Sequence, residues 1–281
     1  MDNIKIHVFH TGKVCVAPDL AFSSKHSNIL KASGVFCRKS KRIWLPVSAY
    51  LIEHPKGKIL VDCGWHRDIS PNGTYDRKSQ IKSLGSPILY LVNQGILPKG
   101  EAIHEQLNRI GVNVKDLDYV LLTHLDCDHA NGLKQVSEAK HILISEDELN
   151  FAKKNSVVRY QKKWWSDVDI TTFNWNGTDG VAHKSYDLFN DGSITLINIP
   201  GHSKGLFAVK IKNPLGKYVL LFSDGGYAKK SWQEMIPSGI SKDKEMQWKS
   251  LQWIREESSN SNCLISLANH DPDIKPQIIE F

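Results

Sequence analysis

No Cys-x-x-Cys pair occurs among the five cysteines, Cys15, Cys37, Cys63, Cys127 and Cys263. An odd, scattered set argues against a disulfide framework and against a thiolate zinc finger. No window approaches 18 uninterrupted apolar residues, so no membrane insertion is expected. The first residues, MDNIKIHVFHTG, lack a basic segment followed by an apolar run, the mark of a secretory leader. Short repeats, low-complexity tracts and interdomain linkers are also missing. These absences lead to the expectation of a soluble protein of a reducing cytoplasm, with one domain over residues 1–281.

Charge of one sign is in modest excess. The formal net charge is +6 in 281 residues, with a pI near 8.9, too mild an imbalance to indicate nucleic acid as a partner. The one compact basic run, CRKSKR, ends at Arg42 and reads as a solvated loop. Hydrophobic residues at 41% and charged residues at 23% are ordinary globular values, enough for a sizeable core without covalent staples.

What is present is a strand-rich grammar. IKIHVFHTGKVCV, IWLPVSAYLIEH and KILVDCG are rich in β-branched and aromatic residues, and HPKGK between the last two is a hairpin turn. A helix is predicted at about 100–110, with Ile103, Leu107 and Ile110 on one face and Gly111 as its cap. LDYVLLTH and AKHILISE follow as strands, with a short helix between them. SITLINIP, LFAVKIK and KYVLLFSD are three more strands. A helix covers roughly 243–256 with Met246, Trp253 and Ile254 on one face, and NCLISLANHD is a final strand. Hairpins outnumber crossovers in this reading. The fold class is α+β, two mixed sheets packed together with helices outside. Residues 150–182, aromatic and polar without periodicity, read as an insertion covering a site or as a packed loop or helix pair, with Trp164 and Trp165 as candidates for one wall of the site or a homodimer contact.

Several of these strands end in groups that bind metal. The run LLTHLDCDHANG places His124, Asp126, Asp128 and His129 within six residues. His202, Asp224 and His270 each stand just past a later strand. A sheet gathers its strand ends along one edge, so these groups could converge, and imidazole with carboxylate suits zinc, iron or manganese. Any one of them has an ordinary structural alternative, such as a helix cap for Asp128. Asp62, ending KILVD, reads as structural, bonded to turn amides. His7, His54, His104, His141 and His183 are left as structural.

The order HxxxDH, PGHSxG, SDG, NHD resembles the metallo-β-lactamase superfamily. Within it, LPVSAYLIEHPKGKILVDCG, THLDCDHANGL, IPGHSKG and SDGGYAKKSW are similar to stretches of the N-acyl-homoserine lactonases. The resemblance runs over roughly residues 5–271 and implies a four-layer αββα sandwich with the site at its edge. It implies that His124 and His202 bind a first metal, that Asp128, His129 and His270 bind a second, and that Asp224 bridges them. Tyr227 matches a tyrosine whose hydroxyl contacts the substrate carbonyl or ring oxygen. The implied reaction is opening of a lactone, or hydrolysis of a related ester. A hydroxide held by the two divalent ions attacks the carbonyl, and Asp128 passes a proton to the departing alkoxide. Zinc is the expected metal.

One position departs from the pattern. Asp126 stands where HxHxDH has its second histidine. Carboxylate for imidazole keeps a ligand but adds negative charge, tilts preference toward iron or manganese, and makes a bound water less acidic. It also motivates an alternative reading as a di-iron redox enzyme, against which no flavin domain or glycine-rich flavin signature is present. Other ester and thioester hydrolases of the superfamily form a further alternative. Lys204, where the lactonase motif commonly has proline, could attract an anion at the site mouth or be an exposed loop residue.

Overall fold

A computed structural model describes residues 3–24, 27–155 and 158–281. Ser156 and Val157, within the aromatic segment singled out above, lie outside the described residues. In chain order the strands are β1 (Lys5–Val16), β2 (Ile43–His54), β3 (Gly57–Val61), β4 (Gln94–Ile96), β5 (Tyr119–Leu121), β6 (His141–Ser145), β7 (Thr171–Phe173), β8 (Ser185–Asp187), β9 (Ile194–Asn198), β10 (Phe207–Lys212), β11 (Tyr218–Leu221), β12 (Cys263–Leu267) and β13 (Gln277–Glu280). They form an eight-stranded sheet in the order β13-β1-β2-β3-β5-β6-β7, with β4 pairing β1, and a five-stranded sheet in the order β12-β11-β10-β9-β8.

Strand β2 shows why the sheets stack. Its side chains alternate between faces, as strand geometry requires. Leu45, Val47, Ala49 and Leu51 enter the core beneath the helices of the first sheet. Tyr50 and Ile52 enter the core shared with Phe207, Val209 and Leu221 of the second sheet. Both faces are buried from Leu45 to Ile52, so the stretch is apolar but for Ser48. A third cluster, containing Phe222 and Ile254, packs the helix Lys244–Ser258 on the outside of the second sheet. The result is the expected four layers, helix, sheet, sheet, helix.

Local readings need adjustment. Three neighbouring pairs, β3·β5, β5·β6 and β6·β7, are parallel, so crossovers carry more of the first sheet than the hairpin signals suggested. The first predicted helix spans Ile103–Arg109, and Ile110 stands at its C-cap, 40% exposed rather than in the core, just ahead of Gly111 at φ +76°. The late helix buries Gln247, Ser250, Leu251 and, as expected, Ile254; Trp253 packs partly buried against the third cluster, and Met246 is not among the buried residues. The stripe is shifted because polar Gln247 and Ser250 have hydrogen-bond partners, Ser238 Oγ and Pro200 O, that hydropathy cannot register. Trp164 and Trp165 are both buried in the main core.

Strand direction positions the site. β3 and β5 run in parallel, so Asp62 and His124 leave the first sheet at the same edge. β9 and β11 are both antiparallel to β10, and β12 is parallel to β11. His202, Asp224 and His270 therefore leave the second sheet together. The sheets are tied at this edge by Tyr50, whose hydroxyl donates to Ala268 O at 2.9 Å, and by Ser48 N, which donates to Asn269 O at 2.9 Å.

Candidate metal centre

All seven predicted ligands meet at this edge. Ligand atoms of His124, Asp126 and His202 lie within 4.8 Å of one another, as do those of Asp128, His129 and His270, and those of His124, His129 and Asp224. Asp224 stands between the two outer groups. Its Oδ1 is 3.3 Å from His129 Nε2 and 3.2 Å from His270 Nε2. Its Oδ2 is 3.5 Å from His202 Nε2 and 3.9 Å from His124 Nε2. Each carboxylate oxygen thus faces one group of ligands.

The four imidazoles are oriented alike. His202 Nδ1 is 3.1 Å from Ile240 O and His270 Nδ1 is 2.8 Å from Pro46 O. A carbonyl only accepts, so these rings carry the proton on Nδ1 and present the Nε2 lone pair. His129 Nδ1 lies 2.8 Å from Asp62 Oδ2, and His124 Nδ1 lies 3.0 Å from Thr123 Oγ1. The outward-facing atoms are then left over. His124 Nε2, His129 Nε2, His270 Nε2 and Asp224 Oδ1 are buried without a hydrogen-bond partner. Orphaned buried polar atoms are costly and rare, and four gathered at one sheet edge call for cations. The donor set of imidazole and carboxylate, with outer partners fixing each ring, fits divalent metal.

The electrostatics agree. Burial opposes ionisation of Asp224, but the His270 and His129 rings outweigh it and hold its carboxyl well below the usual range. Burial likewise opposes protonation of His129, yet Asp224 and Asp62 push it well up. A pocket that holds protons this way is one that binds positive charge. Tyr227 is buried, with its ring stacked on His270 at 4.8 Å and edge-on to His202 at 6.3 Å. Burial and then the carboxylates of Asp224, Asp128 and Asp126 push its phenol well above 10, so its hydroxyl stays a donor.

Local structure explains how each loop reaches the centre. The turn Cys127–Ala130 is helical and Asp126 occupies its N-cap, but without a capping bond, because its carboxylate is engaged elsewhere. Asp128 is therefore not the cap. Gly201, at φ +136°, lies against the start of the late helix, where an added Cβ would fall 2.3 Å from Gln247 Cα. Gly201→Ala should therefore destabilise the protein by about 2 kcal/mol or more, read as a lower denaturation midpoint. An unchanged midpoint would mean that this loop is free to shift.

Four supporting residues were not foreseen in these roles. Asp62 bonds one backbone amide, as expected, but its other partners are side chains that reach the centre. At φ +60° its buried carboxylate accepts from Thr123 N at 2.9 Å, Thr123 Oγ1, His129 Nδ1 and Asn269 Nδ2 at 2.9 Å. Glu148 accepts from Leu125 N at 3.3 Å and Gly205 N at 2.9 Å, clamping the loops that carry Asp126 and His202. Arg159 grips Asp126 with two parallel bonds, Nε to Oδ1 at 2.6 Å and Nη2 to Oδ2 at 2.7 Å, while Nη1 donates to His202 O at 3.0 Å. The NHD triplet held the only signal for Asn269, as a neighbour of His270. Charge balance held one for Arg159, since an extra, largely enclosed carboxylate calls for a cation. Lys204 is exposed and lines a groove with Asp147, Phe151 and Met246, away from the ligand atoms. His7 pairs with Glu53 and stands outside the centre.

A family model described as the metallo-beta-lactamase superfamily matches residues 42–148. The N-acyl homoserine lactonase AttM of Rhizobium radiobacter is 25% identical over 238 residues, covering 82% of this chain and 83% of that protein. An N-acyl homoserine lactonase of Bacillus cereus is 27% identical over 221 residues, covering 75% and 76%. Among solved structures, an N-acyl homoserine lactone hydrolase with N-hexanoyl-L-homoserine at its catalytic metal center superposes with a TM-score of 0.73. It shares 21% identity over 97% of this chain and 95% of that one. AidC, described as a dizinc quorum-quenching lactonase, superposes at 0.63 with 14% identity, over 99% and 94%.

Proposed function

We propose that this chain, which carries the metallo-β-lactamase domain and fold, is a metal-dependent hydrolase that opens lactone rings. The observation that carries the reading is the convergence of orphaned imidazole and carboxylate atoms beside a buried, protonated tyrosine. His124, Asp126 and His202 would hold one divalent ion and Asp128, His129 and His270 a second, with Asp224 shared. Two such ions supply a nucleophile from water at neutral pH and polarise a carbonyl.

The chain's own residues do the rest. Tyr227 donates a hydrogen bond to the carbonyl oxygen as charge gathers on it. Asp128, buried at the edge of the ligand cluster with Oδ2 3.4 Å from His270 Nε2, is placed to return a proton to the departing ring oxygen. The lactonase relatives favour a lactone, with acyl-homoserine lactones the first class to test. Zinc is the favoured metal. The di-iron alternative rested on the carboxylate ligand at Asp126, and the lactonase relatives favour hydrolysis over it.

Metal-loaded protein assayed against acyl-homoserine lactones and simple aryl esters tests the proposal. Ring opening that stops on chelation and returns with zinc is expected, and no turnover of either class would overturn it. Tyr227→Phe should cut turnover by roughly 100-fold, the scale for one oxyanion donor, with metal content unchanged. Equal loss of metal and turnover would make the tyrosine structural.

A further inference from the structure

The largely enclosed arginine beside the first group of ligands, its side chain 17% exposed, is unexplained by the reaction. Arg159 sits in the aperiodic segment after the helix Glu146–Lys154, 33 residues from Asp126. Its guanidinium lies over the Tyr160 ring at 5.1 Å and makes a two-pronged bond to Asp126, the geometry that fixes a carboxylate most firmly. Its third contact, to His202 O, holds the backbone of a second ligand in the same group. It touches nothing in the group formed by Asp128, His129 and His270.

Two features make this more than a brace. First, the grip leaves Asp126 able to ligate. A carboxylate has about four lone-pair positions, and Arg159 uses one on each oxygen. Oδ2 still stands 2.9 Å from His202 Nε2 and 3.6 Å from His124 Nε2, pointing with them to one place. Second, the charges cancel. Asp126 and Arg159 together are neutral, as an imidazole is neutral.

We propose that Arg159 is a resident counter-cation of the first metal position. With Asp126 it forms a neutral composite ligand, and its charge sets how tightly that position holds a divalent ion. The inference rests on the metal-centre reading above. It ranks the variants by the net charge of the pair. Arg159→Gln and Arg159→Met leave the pair at −1 and bind the first ion more tightly. Asp126→His leaves it at +1 and binds more weakly. Asp126→His with Arg159→Met returns to zero and to the natural affinity.

The test is zinc titration against a chromophoric chelator, with bound metal counted by plasma mass spectrometry. For Arg159→Gln and Arg159→Met the first-position dissociation constant should fall at least roughly tenfold, as expected for a cation removed from beside a dication in a partly dry site. The second position should change by less than about threefold. Asp126→His should lose at least about tenfold, and the double variant should recover to within about threefold of the natural protein. Arg159→Lys keeps the cation without the fork and should stay near the natural value, which guards against a variant that fails to fold. A mere brace behaves oppositely. If Arg159→Gln and Arg159→Met bind the first ion no better, or worse, while the second position stays filled, the proposal is overturned. If the natural protein binds no zinc, the metal-centre reading falls and this inference with it.

Discussion

Asp224→Ala protein is expected to hold no more than one metal ion per chain and to lose roughly a thousandfold in turnover. The reason is that Asp224 alone faces both ligand groups, with Oδ1 toward His129 and His270 and Oδ2 toward His124 and His202. Under the proposed metal centre, truncation would remove a ligand from each group at once. A bound metal contributes several kcal/mol to transition-state stabilisation, and each 1.36 kcal/mol is tenfold in rate, which sets the thousandfold scale. Metal counting and steady-state kinetics on the same preparation check it. A variant that keeps two ions and more than about a tenth of its turnover would show that the carboxylate does not bridge.

Asp62→Asn is the second large effect, and it reaches the centre without touching a metal ligand's lone pair. All four partners of Asp62 face it as donors. An asparagine amide tolerates φ +60° as aspartate does, so the backbone stays in place. Its NH2 must then meet a donor in either orientation. Facing Thr123 N, it leaves a buried amide unpaired. Facing His129, it drives the ring proton to Nε2, the atom that should present a lone pair. Metal affinity should fall about 10- to 100-fold, the usual cost of losing an outer hydrogen bond to a ligand. The metal-free protein should lose about 1–3 kcal/mol. Chelator competition and urea unfolding read the two separately. A stability loss with unchanged metal affinity would confine Asp62 to the structural role that its position after a strand suggests.

The two variants probe parts of the centre that differ in how they could be found. Asp224 was legible because it ends KYVLLFSD, a strand pattern that any reader of hydropathy recognises. Asp62 follows an equally clear strand, but its role depends on Thr123, His129 and Asn269. These partners stand 61, 67 and 207 residues further along the chain. No local signal connects them. The register of β3 beside β5 and the seam between the sheets bring them together.

The linear chain carried the ligand types, their clustering in HLDCDH, and the strands that deliver them, because strand alternation and short spacing are local properties. It also carried the anomaly at Asp126, as a departure from a pattern. It did not carry the answer to that anomaly. Arg159 lies in a stretch without periodicity, and its pairing with Asp126 closes a 33-residue loop whose geometry depends on the clamp at Glu148 and on the burial of Tyr160. Charge neutralisation acts through space at ångström range, and position along the chain does not report it. Chain packing alone therefore decided which cation would offset the extra carboxylate.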